Sequence, residues 1–247
     1  MFSFRDMHER SGPCVIAHRG ASEQAYENTL DAFERAIAIG ADAVECDVRR
    51  AADGTIVVHH NPAVPGCNRP IAFQTYNEVQ ACAREVGFAV PTLAELLSLC
   101  AGRVALDIEL KETGYEADIV AQVAGHFSFD HVVFKSFKDQ SVARLHRLDP
   151  ALIAGLLIGA PRTIALRAQV KEMAITRRLE QCGAAFVSPH WARLRLGFAR
   201  KMRSLGLPML VWTVDRAAMA RMLIKKRVAG IISNVPDRIL AITGRAS

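Results

Sequence analysis

The stretch "CVIAHRGASEQAYENTLDAFERAIAIGADAVECDV", residues 14–48, decides the fold. An apolar run over 14–18 stops at His18, Arg19 and Gly20. A helical pattern follows over 28–39, and a second apolar run fills 42–48. Strand, helix, strand is the repeating unit of a parallel sheet. Ending a buried strand on an imidazole and a guanidinium costs free energy unless both groups are wanted there.

The alternation continues to the end of the chain. Strand patterns recur at 55–59, 103–110, 131–136, 152–158, 184–188, 208–213 and 229–233. Helical patterns lie near 92–101, 115–126, 138–148, 163–182, 192–205, 216–227 and 235–243. About eight strand–helix units in 247 residues predict an α/β fold, a single (β/α)8 TIM barrel domain over 1–247. The one surplus strand is accounted for if 42–48 and 55–59 are neighbours joined by the turn Ala51–Gly54, where Asp53-Gly54 is a good turn pair. The segment 61–77, with three prolines and little periodicity, reads as a long loop, a short insertion after the early strands.

Bulk properties narrow the class. The chain is 51% hydrophobic, enough for a large core, and has no uncharged apolar stretch of ~18 residues to span a membrane. Asp6 and Glu9 stand where a signal peptide would be apolar. Six cysteines (Cys14, Cys46, Cys67, Cys82, Cys100, Cys182) occur without a CxxC pair. That usage predicts reduced thiols in the cytoplasm and argues against a cysteine zinc site. Residues 1–150 hold 14 Lys+Arg against 21 Asp+Glu, net −7, whereas 151–247 hold 17 against 4, net +13. A basic half attracts an anionic substrate, leaves peripheral contact with a membrane surface open, or is simply a solvated surface. Aromatic content is 6%, without the interleaving of nucleic-acid binders, so no nucleic-acid partner is expected. No pattern bears on oligomeric state.

Several strands end in polar groups: His18 and Arg19; Glu45 and Asp47; His59 and His60; Asp107, Glu109 and Lys111. Side chains at i and i+2 on a strand share a face, so Glu45 and Asp47 point one way and Cys46 the other. Taken singly, each has a bland reading: a solvated pair, a surface ion pair, a structural histidine. Together they would gather at one end of a barrel, the end that forms active-site rims. Carboxylates meeting there repel unless a cation sits among them, and a divalent metal, Mg2+ or Ca2+, suits oxygen donors.

The run "AHRG…YENTLDAFERAIAIGADAVECDVRRAADGTIVVHHNP", followed in order by "LDIELK", "FKSF", "VWTVD" and "GIISNVPD", resembles the glycerophosphodiester phosphodiesterase family. The resemblance implies a TIM barrel with a metal-dependent phosphodiesterase site. It implies Glu45, Asp47 and Glu109 as metal ligands, His18 and His59 as an acid–base pair, and Arg19 and Lys111 as phosphate contacts. Trp212 falls on an aromatic near the substrate alcohol, or is a core tryptophan. Glu27 would brace the first loop, and Asn28 could cap the helix behind it. Three positions depart from the family pattern: His59-His60 replaces a usual His-Asp, Asp215 a usual Asn, and Ser233-Asn234 a usual Thr-Asp or Ser-Asp. His60 would then alter hydrogen bonding around His59. About 45 residues separate His59 from "LDIELK", a short insertion that implies an open mouth. The expected reaction on a small-molecule phosphodiester substrate is hydrolysis of glycerophosphodiesters to an alcohol and glycerol 3-phosphate. A lysophospholipase D-type phosphodiesterase of the same fold, and a non-catalytic phosphate- or lipid-binding barrel, are the alternatives.

Overall fold

The strands form where the apolar runs predict them. They are β1 (Cys14–His18), β2 (Ala43–Arg50), β3 (Ile56–Val58), β4 (Ala105–Leu110), β5 (Val132–Ser136), β6 (Ile153–Ile158), β7 (Phe186–Pro189), β8 (Leu210–Val211) and β9 (Gly230–Ser233). The computed structural model describes residues 1–8, 10–160, 168–194 and 197–244. Parallel pairing runs in the order β7-β6-β5-β4-β2-β1-β9-β8. Parallel bridges Val187↔Met209 and His190↔Trp212 bring β7 to β8 and close a ring of eight strands. The surplus strand β3 pairs antiparallel with β2, with Val48 opposite Val58 and Arg50 opposite Ile56, so the predicted turn at 51–54 is present. Gly54 there has φ +88°, a conformation open to glycine.

Period-two alternation divides the side chains. Outward residues such as Val44, Cys46, Val48, Leu106 and Ile108 pack under the helices. Inward residues Cys14, Ile16, Ala43, Ala105, Val133, Phe186, Leu210 and Ile232 fill the lower barrel, with Phe4 and Met7 against them. Each large aliphatic side chain so buried stabilises by roughly 1.5–3 kcal/mol. Gly155 makes room for Phe186, whose ring atoms would lie 2.4 Å from any Cβ at 155. One step higher the inward positions turn charged: Glu45, Asp47, Asp107, Glu109 and Lys135, all buried. The fold thus lifts its polar groups to the C-terminal ends of the strands.

The helices are α1 (Leu30–Ile39), α2 (Tyr76–Glu85), α3 (Leu93–Cys100), α4 (Glu116–Ala124), α5 (Asp139–Leu148), α6 (Ala168–Cys182), α7 (Phe198–Ser204), α8 (Ala217–Lys225) and α9 (Pro236–Ile242). Thr29, not Asn28, caps α1 by accepting from the Ala32 N–H. The expected loop 61–77 contains a 3-10 turn at Ile71–Phe73, and α2 begins before it ends. That helix escapes periodicity because few of its side chains are buried, Val79 and Ala83 among them, but Thr75 and Glu78 form a capping box that signals it. The helix expected over 163–182 is seen from Ala168, and 163–167 lie outside the described residues. The pattern at 192–205 resolves into a 3-10 turn, Trp191–Arg193, and α7, with 195–196 outside the described residues. The expectation of six reduced thiols is corrected at one pair. Cys67 and Cys82, with Cα atoms 6.0 Å apart, form a disulfide that ties the insertion to α2. Cys46, Cys100 and Cys182 are free and buried, and Cys14 is buried. Among the described residues, no helix is long and apolar enough to cross a membrane.

Candidate active site

The loop leaving β1 is held in a left-handed turn. Arg19 has φ +58° and Gly20 φ +80°, and a Cβ on Gly20 would meet the Ala32 backbone at 2.5 Å. Glycine alone lets the loop lie against α1. The Arg19 N–H donates to Glu45 Oε2 at 3.0 Å, and its Nη1 donates to both oxygens of Glu27 at 2.9 and 2.8 Å. Its Nε stands 3.1 Å from Asp47 Oδ2. Asn28, also at φ +58°, donates from Nδ2 to the same oxygen at 2.9 Å. The loop expected to position Arg19 is therefore stitched to β2, and Glu27 braces it.

Register brings the carboxylates together, with Glu45 opposite Asp107 and Asp47 opposite Glu109. Glu45, Asp47 and Glu109 are buried, and each offers an oxygen within 4.8 Å of the others. Lys111 Nζ lies 2.7 Å from Asp47 Oδ1 and contacts Glu109 Oε1. Lys135 Nζ lies 2.7 Å from Asp107 Oδ2 and 3.3 Å from Glu45 Oε1. Four buried carboxylates face three cations, and the imbalance shows in their acidities. Burial, joined by the charges of Asp47 and Glu45 and opposed by Lys111, pushes Glu109 up to about 7. Burial likewise raises Asp107 to about 6. Asp47 is buried too, but Lys111 and Arg19 hold it well below the usual carboxylate range. Its Oδ1 receives no aligned hydrogen bond. Three converging buried carboxylates, one cation short of balance, fit a hard divalent ion.

The imidazoles differ in setting. His18 Nδ1 is 2.7 Å from Asn234 Oδ1. Asn234 is itself oriented by Asp215, because its Nδ2 donates to Asp215 Oδ2 at 2.8 Å and its N–H to Oδ1 at 2.9 Å. That fixes the amide oxygen toward His18, so Nδ1 carries the proton and Nε2 is left free. Nε2 stands 3.9 Å from Glu45 Oε2. His59 Nε2 is 3.3 Å from the Ala63 carbonyl, its ring lies parallel to Phe88, and burial lowers its pKa. His60 is half-buried, with its pKa lowered by the same cause.

A cavity of about 80 Å3 opens over the carboxylates and gathers His18, Arg19, Glu45, Glu109, Lys111 and Trp212. Asp47 lies just behind it. His60, rather than His59, is on the cavity wall. Trp212 donates from Nε1 to the Ser188 carbonyl at 2.9 Å and meets Phe137 edge-on. Sequence reasoning matched "FKSF" without giving Lys135 or Phe137 a role, and missed the pairing of Asp215 with Asn234.

A family model described as "Glycerophosphoryl diester phosphodiesterase family" matches residues 18–238. The chain belongs to that family. The YhdW protein of Bacillus subtilis (strain 168) is 31% identical over 241 residues, spanning 92% of this chain and 96% of that one. A glycerophosphodiester phosphodiesterase of Caldanaerobacter subterraneus subsp. tengcongensis is 28% identical, again over 92% and 96%. Among solved structures, an Oleispira antarctica phosphodiesterase in complex with the product sn-glycerol-3-phosphate superposes with a TM-score of 0.81 at 25% identity, covering 94% of this chain and 97% of that one. Against the glycerophosphodiester phosphodiesterase pattern, the departures at 215 and 234 are partners: each carries the other's expected side chain, and they bond to one another.

Proposed function

We propose that this chain hydrolyses glycerophosphodiesters to an alcohol and glycerol 3-phosphate, with Mg2+ or Ca2+ held by Glu45, Asp47 and Glu109. The observation that carries the reading is the convergence of those three buried carboxylates beneath a cavity lined by Arg19, Lys111 and His18. A bound ion would supply Lewis-acid charge for the phosphoryl oxygens. Arg19 and Lys111 would bind the non-bridging oxygens, where negative charge grows in the transition state. His18, with Nδ1–H tied to Asn234, presents Nε2 to take or return a proton. His59 is the second imidazole of the pair, with its pKa lowered by burial. One ring, neutral, takes the nucleophile's proton while the other, protonated, gives one to the departing alkoxide, and the two have then exchanged protonation states.

Because His60 lines the cavity, it is the rival for the second role. His59→Ala is expected to lower turnover of glycerophosphocholine roughly 10²–10⁴-fold, with His60→Ala within tenfold of wild type. The reverse ranking transfers the role to His60. The lysophospholipase D reading draws on Phe137, which is 43% exposed beside Trp212 and offers an apolar edge to an acyl chain. Faster turnover of lysophosphatidylcholine than of glycerophosphocholine would favour it. A non-catalytic barrel is disfavoured by the presence of every expected ligand and both histidines. The buried thiols of Cys46, Cys100 and Cys182 support the cytoplasm as its compartment, and the Cys67–Cys82 bridge is the feature against it.

A further inference from the structure

Lys135, one residue from the C-terminal end of β5, is 1% exposed and lines the cavity, and the chemistry proposed above gives it no task. A buried ammonium costs several kcal/mol unless it is paired. Its partners are Asp107 Oδ2 at 2.7 Å and Glu45 Oε1 at 3.3 Å. Asp107 lies outside the carboxylate trio and off the cavity wall, and its Oδ1 is buried with no hydrogen-bond partner. Lys135 is therefore the partner that holds Asp107. Buried ion pairs are often no more stabilising than an apolar pair of similar volume, so stability alone is a weak reason for this one. The other reason is Glu45.

The charges of the centre tell the same story. Glu27, Glu45, Asp47, Asp107 and Glu109 face Arg19, Lys111 and Lys135, leaving two negative charges in excess. A divalent cation brings the sum to zero. Lys135 shares Glu45 with any ion placed there, and Asp107 decides how much of the ammonium's charge Glu45 receives.

Resting on the proposed metal-dependent site, we infer that Lys135, anchored by Asp107, is a positioning residue that holds Glu45 and sets the affinity of the centre for a divalent cation. The test uses two variants expected to move in opposite directions. Asp107→Asn keeps the shape but releases the ammonium onto Glu45, and the dissociation constant for Mg2+ or Ca2+ rises at least about fivefold. Lys135→Met/Asp107→Val leaves the net charge of the centre unchanged while freeing Glu45 Oε1, and the constant falls at least about threefold below wild type. Calorimetric titration of the chelator-treated full chain with each metal reads the affinity, and circular dichroism reads the fold. A purely structural pair would lower melting temperatures and leave the affinities alone. Affinities within twofold of wild type, or shifted in the same direction, overturn the inference. If that double variant does not fold, Lys135→Met/Asp107→Asn, which also leaves the net charge unchanged, decides instead: tighter binding supports the inference and unchanged or weaker binding overturns it. A wild-type chain that binds neither cation overturns the metal site instead.

Discussion

Asn234 is the most informative residue to change. Its side chain is the only link between Asp215 and His18 among the hydrogen bonds described here. It accepts from His18 Nδ1 at 2.7 Å and from Ser22 Oγ at 3.0 Å, and it donates to Asp215 at 2.8 Å. Asn234→Ala removes the hydrogen bond that selects the tautomer with Nε2 free. A neutral hydrogen bond contributes about 0.5–1.5 kcal/mol, which alone gives roughly two- to tenfold. Loss of ring orientation adds to this, as changes in the groups that orient an active imidazole typically cost about 10–100-fold. We expect kcat on glycerophosphocholine to fall about 10–100-fold, with KM within about threefold, since Nε2 acts on the transition state more than on the bound ester. Asn234→Asp is expected to be no better, because it sets a carboxylate against Asp215 at hydrogen-bond distance. At an effective dielectric near 20 that repulsion would be about 6 kcal/mol, and exposure of Asp215 reduces it to about 1–2 kcal/mol. Asp215→Asn in the same chain restores one carboxylate and one amide. The Asp215→Asn/Asn234→Asp protein should therefore recover at least tenfold over Asn234→Asp. Asn234→Ala within twofold of wild type in kcat, or a double variant no better than Asn234→Asp, would refute the role given to this brace.

Two further expectations follow from the buried carboxylates and the first loop. Glu109, raised to about 7, binds its proton more tightly folded than unfolded, so in metal-free protein its contribution to stability is full below about 4.5 and is lost as pH rises through about 7. Melting temperature with chelator should fall across that window, and added divalent cation should restore it increasingly above pH 7, as the proton leaves; a flat profile rejects this placement of charge. Gly20→Ala forces a Cβ to within 2.5 Å of the Ala32 backbone at φ +80°, and should cost about 2–4 kcal/mol in urea unfolding, whereas a loss under about 0.5 kcal/mol would show the loop is not held as described.

The parts of this protein that were legible in the sequence are those whose meaning is local. An apolar run ending in charge, Glu45-x-Asp47 on one face, and Asp53-Gly54 between two strands each declare themselves within a few residues. The barrel followed from repetition of such units; two strands ending alike suggested a cation among carboxylates, and the family resemblance picked out Glu45, Asp47 and Glu109 as its proposed ligands. The role of Lys135 was invisible for the opposite reason. "FKSF" carried part of the resemblance, but nothing near it in sequence says what a lysine in an apolar strand pairs with. Only the register that sets Lys135 beside Glu109, with Glu45 and Asp107 opposite each other on the next strands, shows that it lies inside the barrel under a carboxylate. Asp215 and Asn234 likewise looked like two unrelated departures until β1, β9 and the end of β8 brought them to His18. Helix α2 was hidden by thin burial, though its capping box stood in plain view. The pattern has a physical cause. Hydrophobic periodicity places side chains on faces, but a buried charge is tolerated only where another element supplies its partner, and that partner is chosen by pairing between distant strands. Polar residues that interrupt an otherwise apolar barrel strand are therefore the positions where sequence reading should expect a partner from elsewhere in the chain.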